Sequence, residues 1–131
     1  MPAPGEVLWC EFEAPYSTRY HPPEMTKNRR VVVLSPRNRT RIQETLVIVP
    51  LSTQPPVQIG AHHYELRTQY PFLHKTAKVW VKGDMVRHVS VRRLRPFLKH
   101  NVATARFLSA DDLGGARGAV AAGIGIQTRP E

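Results

Sequence analysis

Leu46-Val47-Ile48-Val49-Pro50-Leu51-Ser52-Thr53-Gln54 is the stretch whose reading decides the fold. Its apolar part is dense in β-branched side chains, too short for a buried helix, and suited to a pleated strand. Its end turns polar at Ser52 and Thr53, and Pro55-Pro56 stops it, because proline cannot donate to a β-ladder. A second run of the same kind lies upstream, Lys27-Asn28-Arg29-Arg30-Val31-Val32-Val33-Leu34-Ser35. Arg30–Ser35 and Thr45–Leu51 therefore read as two buried strands joined by a polar, arginine-rich turn from Pro36 to Glu44.

Outward from this pair the chain stays β-like. Val7 to Phe12 reads as a first strand with Leu8, Cys10 and Phe12 on one face by the period of two. Pro15 to Asn28 carries Pro15, Pro22 and Pro23 and neither periodicity, so it reads as a long exposed loop. Downstream, His62–Leu66 is a short strand. Ala77–Lys82 alternates, with Val79 and Val81 on one face and Lys78, Trp80 and Lys82 on the other. Gly83-Asp84 marks a turn or bulge before a strand at Met85–Val89, and Arg92-Arg93-Leu94 fits either a helical turn or a short strand. One helix is expected from an N-cap at Ser109, with Asp111 and Asp112 in the favourable first turn. Gly114, Gly115 and Gly118 weaken it by up to about 1 kcal/mol each relative to alanine. Residues 123–131 read as a loose tail. Short strands followed by a late helix predict a single mainly β domain over 1–131, with its core in about 5–122.

Composition narrows the function. The 131 residues carry a net charge of +9, which favours a polyanionic partner. Seven basic residues face one acid between Arg19 and Arg41, and six face Asp84 alone between Lys82 and Lys99. A solvated basic surface is the ordinary explanation, but both clusters flank the strands above. No apolar run reaches the roughly 18 residues a membrane span needs. The first residues lack a secretion pattern, and Cys10 has no cysteine to pair with, so a cytoplasmic protein is expected. His62, His63, His74 and His88 have no carboxylate or cysteine at ligand spacing, so no metal or other cofactor is expected.

Four segments occur in order: Gly5-Glu6-Val7-Leu8-Trp9, the Arg29 run, Val49-Pro50-Leu51-Ser52-Thr53-Gln54 and Asp84-Met85-Val86-Arg87-His88-Val89-Ser90. Together they resemble the MazF/PemK (Kid) toxins of type II toxin–antitoxin pairs. Pro23-Glu24-Met25-Thr26-Lys27 is similar to the YifN-like branch of the PemK superfamily. The resemblance covers about residues 5–97 and implies an SH3-like barrel with a C-terminal helix, dimeric, blocked by a cognate antitoxin. It also implies a metal-independent endoribonuclease that cuts single-stranded RNA by attack of the 2′-hydroxyl on phosphorus. The products would be a cyclic phosphate and a 5′-hydroxyl.

That reaction needs a base, stabilisation of a phosphorane and an acid for the leaving oxygen. Arg29, matched to the motif arginine, has the planar fork that holds two phosphoryl oxygens. Ser52 can donate a hydroxyl, and a hydroxyl that merely caps the turn is the competing reading. Asp84 matches an aspartate of the PemK-like branch and would assist proton transfer, although Gly-Asp is also an ordinary turn pair. The resemblance implies RNA contacts from Lys82 and Arg87, and Lys27, Arg30 and Thr53 are candidate contacts beside them. Arg30 stands where the family usually has proline. Trp80 is the candidate for stacking a base. A non-catalytic RNA- or protein-binding module on the same barrel is the alternative.

Overall fold

The computed structural model describes residues 2–12, 28–37, 44–74, 76–99 and 102–126. In these, nine strands precede one helix: β1 Val7–Cys10, β2 Arg29–Val33, β3 Thr45–Ser52, β4 His63–Glu65, β5 Trp80–Lys82, β6 Arg87–Ser90, β7 Leu94–Arg95, β8 Phe97–Lys99, β9 Val102–Thr104 and α1 Ala110–Gly123. The proline-bearing loop, Lys27, most of the 36–44 turn and the last residues of the tail lie outside the described residues.

The apolar run at 45–52 becomes the spine. β3 pairs with β2 along one edge, Val31 opposite Pro50 and Val33 opposite Ile48. Along its other edge two strands share it. β6 takes the first half, Thr45 opposite Ser90 through Ile48 opposite Arg87, and β5 takes the end, Leu51 opposite Val81 and Ser52 opposite Trp80. β1 joins β2 to β7. Because β6 and β7 are joined only by the single 3-10 turn Val91–Arg93, the two ends of the ladder β6-β3-β2-β1-β7 are drawn together. That closure makes the small antiparallel barrel expected from the sequence.

Strands buried on both faces explain why 31–33 and 46–51 show no alternation. Leu8, Cys10, Phe12, Val31, Val33, Leu46, Ile48, Val89 and Leu94 fill the barrel interior. Val7, Val32, Val49, Leu51 and Val81 face outward, where α1 covers them with Ala116 and Ala119 and the 66–73 segment with Leu66, Tyr70 and Leu73. Each such side chain contributes about 1.5–3 kcal/mol when taken from water.

Asp112 seats the helix. Its buried carboxylate accepts from Tyr64 Oη at 2.8 Å, Tyr70 Oη at 2.6 Å, Arg67 N at 3.0 Å and Thr68 N at 3.2 Å. Ser109 caps as expected, its Oγ accepting from Asp112 N at 3.1 Å. Two glycines are required by close approach. A Cβ on Gly115 would lie 2.1 Å from the Tyr64 ring, and one on Gly83 would lie 2.2 Å from the Ala119 carbonyl oxygen.

Three readings need correction. β5 begins at Trp80 rather than Ala77, and Trp80 is only 8% exposed, packed in the sheet instead of presented for stacking. The strand expected at Met85–Val89 is Arg87–Ser90, with Met85 in the preceding 3-10 turn, whereas the two readings of Arg92-Arg93-Leu94 both hold, as a 3-10 turn and the start of β7. The β8–β9 hairpin had no signal in the alternation.

Candidate functional site

Register places the central pair. The β2–β3 ladder ends with Val31 opposite Pro50, and Arg29 and Ser52 stand two residues beyond that pair on their strands. Cys10 lies opposite Arg29, Leu94 opposite Cys10, Trp80 opposite Ser52 and Glu65 opposite Trp80. Directly opposed residues share a face with Cβ atoms about 4.5–5.5 Å apart. The two rows Leu94–Cys10–Arg29 and Ser52–Trp80–Glu65 therefore end beside each other where β2 and β3 part.

Both residues line one cavity of about 180 Å³ at the strand ends. Trp9, Asn28, Arg30, Leu51, Thr53, Gln54, Leu73 and Val79 complete its walls. Ser52 Oγ accepts from Gln54 N at 3.1 Å, which leaves the hydroxyl proton to donate to a ligand. Arg29 Nε and Arg30 Nε are buried and meet no acceptor among the described residues. An unpaired buried N–H costs about 1–3 kcal/mol, so these two donors call for an explanation, and an acceptor carried in by a ligand is one.

Arg30 reaches the cavity from the opposite face. Its Nη1 donates to the Leu73 carbonyl at 2.9 Å, and its guanidinium carbon sits 5.7 Å from the Trp9 ring centre and 5.8 Å from that of Phe97. The extra charge where the resembling family has proline is therefore held rigidly in the cavity wall. Thr53 lines the same cavity and is exposed. No carboxylate or imidazole is among the described lining residues.

The remaining expected residues lie elsewhere. Asp84 sits in the Gly83–Met85 turn, four positions past the residue opposite Ser52. It does not line the cavity. Its Oδ2 is instead 3.9 Å from His62 Nε2. Lys82 pairs across to His63, beyond the cavity. The guanidinium of Arg87 lies 5.1 Å from the centre of the Phe12 ring.

The fold also supplies a carboxylate that sequence spacing hid from the histidines. His62, His63 and Asp84 offer ligand atoms within 4.8 Å of one another. His63 Nδ1 already accepts from Gly60 N at 2.9 Å. Burial, then His62 and Lys82, push the His63 pKa down, against the opposing pull of Asp84.

Trp9 and Asn28 are the cavity residues sequence reasoning missed. The signal for Trp9 was present: with Leu8, Cys10 and Phe12 inward, Trp9 must face out, and it is 37% exposed. Leu73 had no such signal, because a loop carbonyl leaves no pattern.

A family model described as PemK-like, MazF-like toxin of type II toxin–antitoxin system matches residues 3–113. The uncharacterized YifN protein of Escherichia coli (strain K12) is 34% identical over 110 aligned positions, covering 71% of each chain. Among solved structures, MazF from Deinococcus radiodurans superposes with a TM-score of 0.67 at 20% identity, over 95% of this chain and 97% of that one. An endoribonuclease in complex with its cognate antitoxin from Mycobacterial species gives 0.66 at 15% identity, over 98% and 100%. At such identities these two structures establish the barrel alone.

Proposed function

Since the chain belongs to the PemK-like, MazF-like toxins of type II toxin–antitoxin systems, we propose that it is an endoribonuclease whose Arg29–Ser52 cavity receives the scissile phosphate of single-stranded RNA. The observation that carries this reading is that Arg29 and Ser52, from strands far apart in sequence, line one cavity of about 180 Å³. Arg29 and Ser52 donate to the two non-bridging oxygens and hold the charge that builds on the phosphorane. The ribose 2′-oxygen bonds to phosphorus, its proton leaves, the bond to the 5′-oxygen breaks, and that oxygen takes up a proton. The products are a 2′,3′-cyclic phosphate and a 5′-hydroxyl. Arg30, Thr53 and Trp9 line the path of the flanking chain. The chain's partners in this reading are RNA, a second copy and a cognate antitoxin, the last supported by the antitoxin complexes among its structural neighbours. No helix among the described residues is long and apolar enough to cross a membrane, consistent with action on cellular RNA.

The test uses purified protein, a long single-stranded RNA and EDTA. Fragments with cyclic phosphate ends, lost with Arg29→Ala, are the expected result. Intact RNA at large protein excess, or equal cutting by Arg29→Ala, would rule the assignment out.

One observation favours a second reading. Without a carboxylate or imidazole in its described lining, the cavity could serve a binding module that holds RNA and leaves it whole. Tight, salt-sensitive binding without products identifies that case.

A further inference from the structure

Beside the Arg29–Ser52 cavity lies a larger cleft of about 520 Å³, lined by Glu11, Phe12, Asn28, Ser90, Arg92 and Arg93. Asn28 lines both, so the two hollows meet at one side chain. From this we infer that the second cleft is a subsite for a nucleotide flanking the phosphate held by Arg29, with Arg92 as its phosphate contact. The inference rests on the RNA reading above and adds residues to it.

Two observations support it. The first is charge. Arg92 and Arg93 line the cleft, and the one acid among its described lining residues, Glu11, is 3.8 Å from Arg95 Nη2, which offsets it. Arg93 is committed in part to the frame, its Nη1 donating to the Glu11 carbonyl at 3.3 Å. Arg92 is exposed, and its backbone N–H is satisfied by Ser90 Oγ at 3.2 Å, which fixes where the side chain emerges.

The second is distance. Leu94 follows Arg93 in the chain, and the row Leu94–Cys10–Arg29 spans two strand spacings, about 10 Å in all. At a rise of about 3.4 Å per stacked nucleotide, that interval is within the reach of about three nucleotides of one strand.

The experiment measures binding of uncleavable 2′-deoxy-substituted oligonucleotides, a dinucleotide and a longer strand, to the full chain as a function of salt. In the wild type the longer strand binds more tightly. Arg92→Ala cuts that gain about tenfold and lowers the salt slope by roughly one. Arg117→Ala, an equal loss of charge on the exposed face of α1, leaves the gain intact. If Arg92→Ala and Arg117→Ala weaken binding alike, or if neither changes the length dependence, the subsite is refuted while the RNA reading stands. If the wild type binds neither oligonucleotide, both are refuted.

Discussion

Arg29 is the residue on which the chemistry turns, and its geometry was half legible in the sequence. The β-run starting at Arg30 gave the strand, and the resemblance singled out the arginine. What no linear pattern supplied was register: only the β2–β3 ladder, ending at Val31 opposite Pro50, brings Arg29 and Ser52 to the walls of one cavity. Because a guanidinium can hold two phosphoryl oxygens at once, lysine does not replace it. Arg29→Ala and Arg29→Lys should both lower kcat/KM for RNA cleavage about 10²–10³-fold with the fold intact by circular dichroism. A lysine variant with near wild-type activity would reduce Arg29 to a point charge. Trp80 shows the opposite failure. Its alternation with Lys78 and Lys82 suggested an open face, yet β4 and β3 flank it on both sides and bury it.

At the scale of elements, α1 is held by a buried carboxylate rather than by intrinsic helix strength. Burial alone would raise the Asp112 pKa, but hydrogen bonds from Tyr70, Arg67 N, Tyr64 and Thr68 N outweigh it and hold it below the usual range. The Tyr64 pKa moves the other way, to about 12, through burial and its bond to Asp112. A depressed carboxylate stabilises the fold above its unfolded pKa, about 3.9, and that stability is lost as pH falls through the folded value. Melting temperature should therefore drop below about pH 4 in the wild type. Asp112→Asn should be less stable at neutral pH and flatter in acid. Parallel profiles would show that Asp112 contributes nothing to acid stability.

The helix glycines divide on packing grounds that sequence could not supply. Gly114 and Gly118 have open space around them, so alanine there should stabilise by about 0.5–1 kcal/mol. Gly115→Ala meets the Tyr64 ring and should lower the melting temperature instead. Thermal denaturation of the three variants decides the point. The N-cap and acidic first turn were readable in advance, but Asp112 as a clamp on the 66–73 segment was not. Its partners are brought to it only by the tertiary fold.

At the scale of the molecule, the barrel closes because β6 and β7 are consecutive while their ladder partners lie far apart in sequence. This separates the expected site residues into two groups, Arg29 with Ser52 at one place and Asp84 with His62 at another. If the assembly unites them, the cavity of one copy works with Asp84 of a second. Mixing inactive Arg29→Ala with inactive Asp84→Asn protein should then restore cleavage to about a quarter of the wild-type level, since random pairing leaves up to half the dimers mixed, each with one intact site. No recovery, with dimers present by light scattering, would confine the reaction to one chain.

The central claim is that Arg29 and Ser52 act on the same phosphoryl group. A double-mutant cycle of Arg29→Ala and Ser52→Ala on kcat/KM for RNA cleavage tests it directly. Groups that share a reacting centre are non-additive, so the double variant should be at least several-fold more active than the product of the single effects predicts. Losses that multiply independently would contradict the claim.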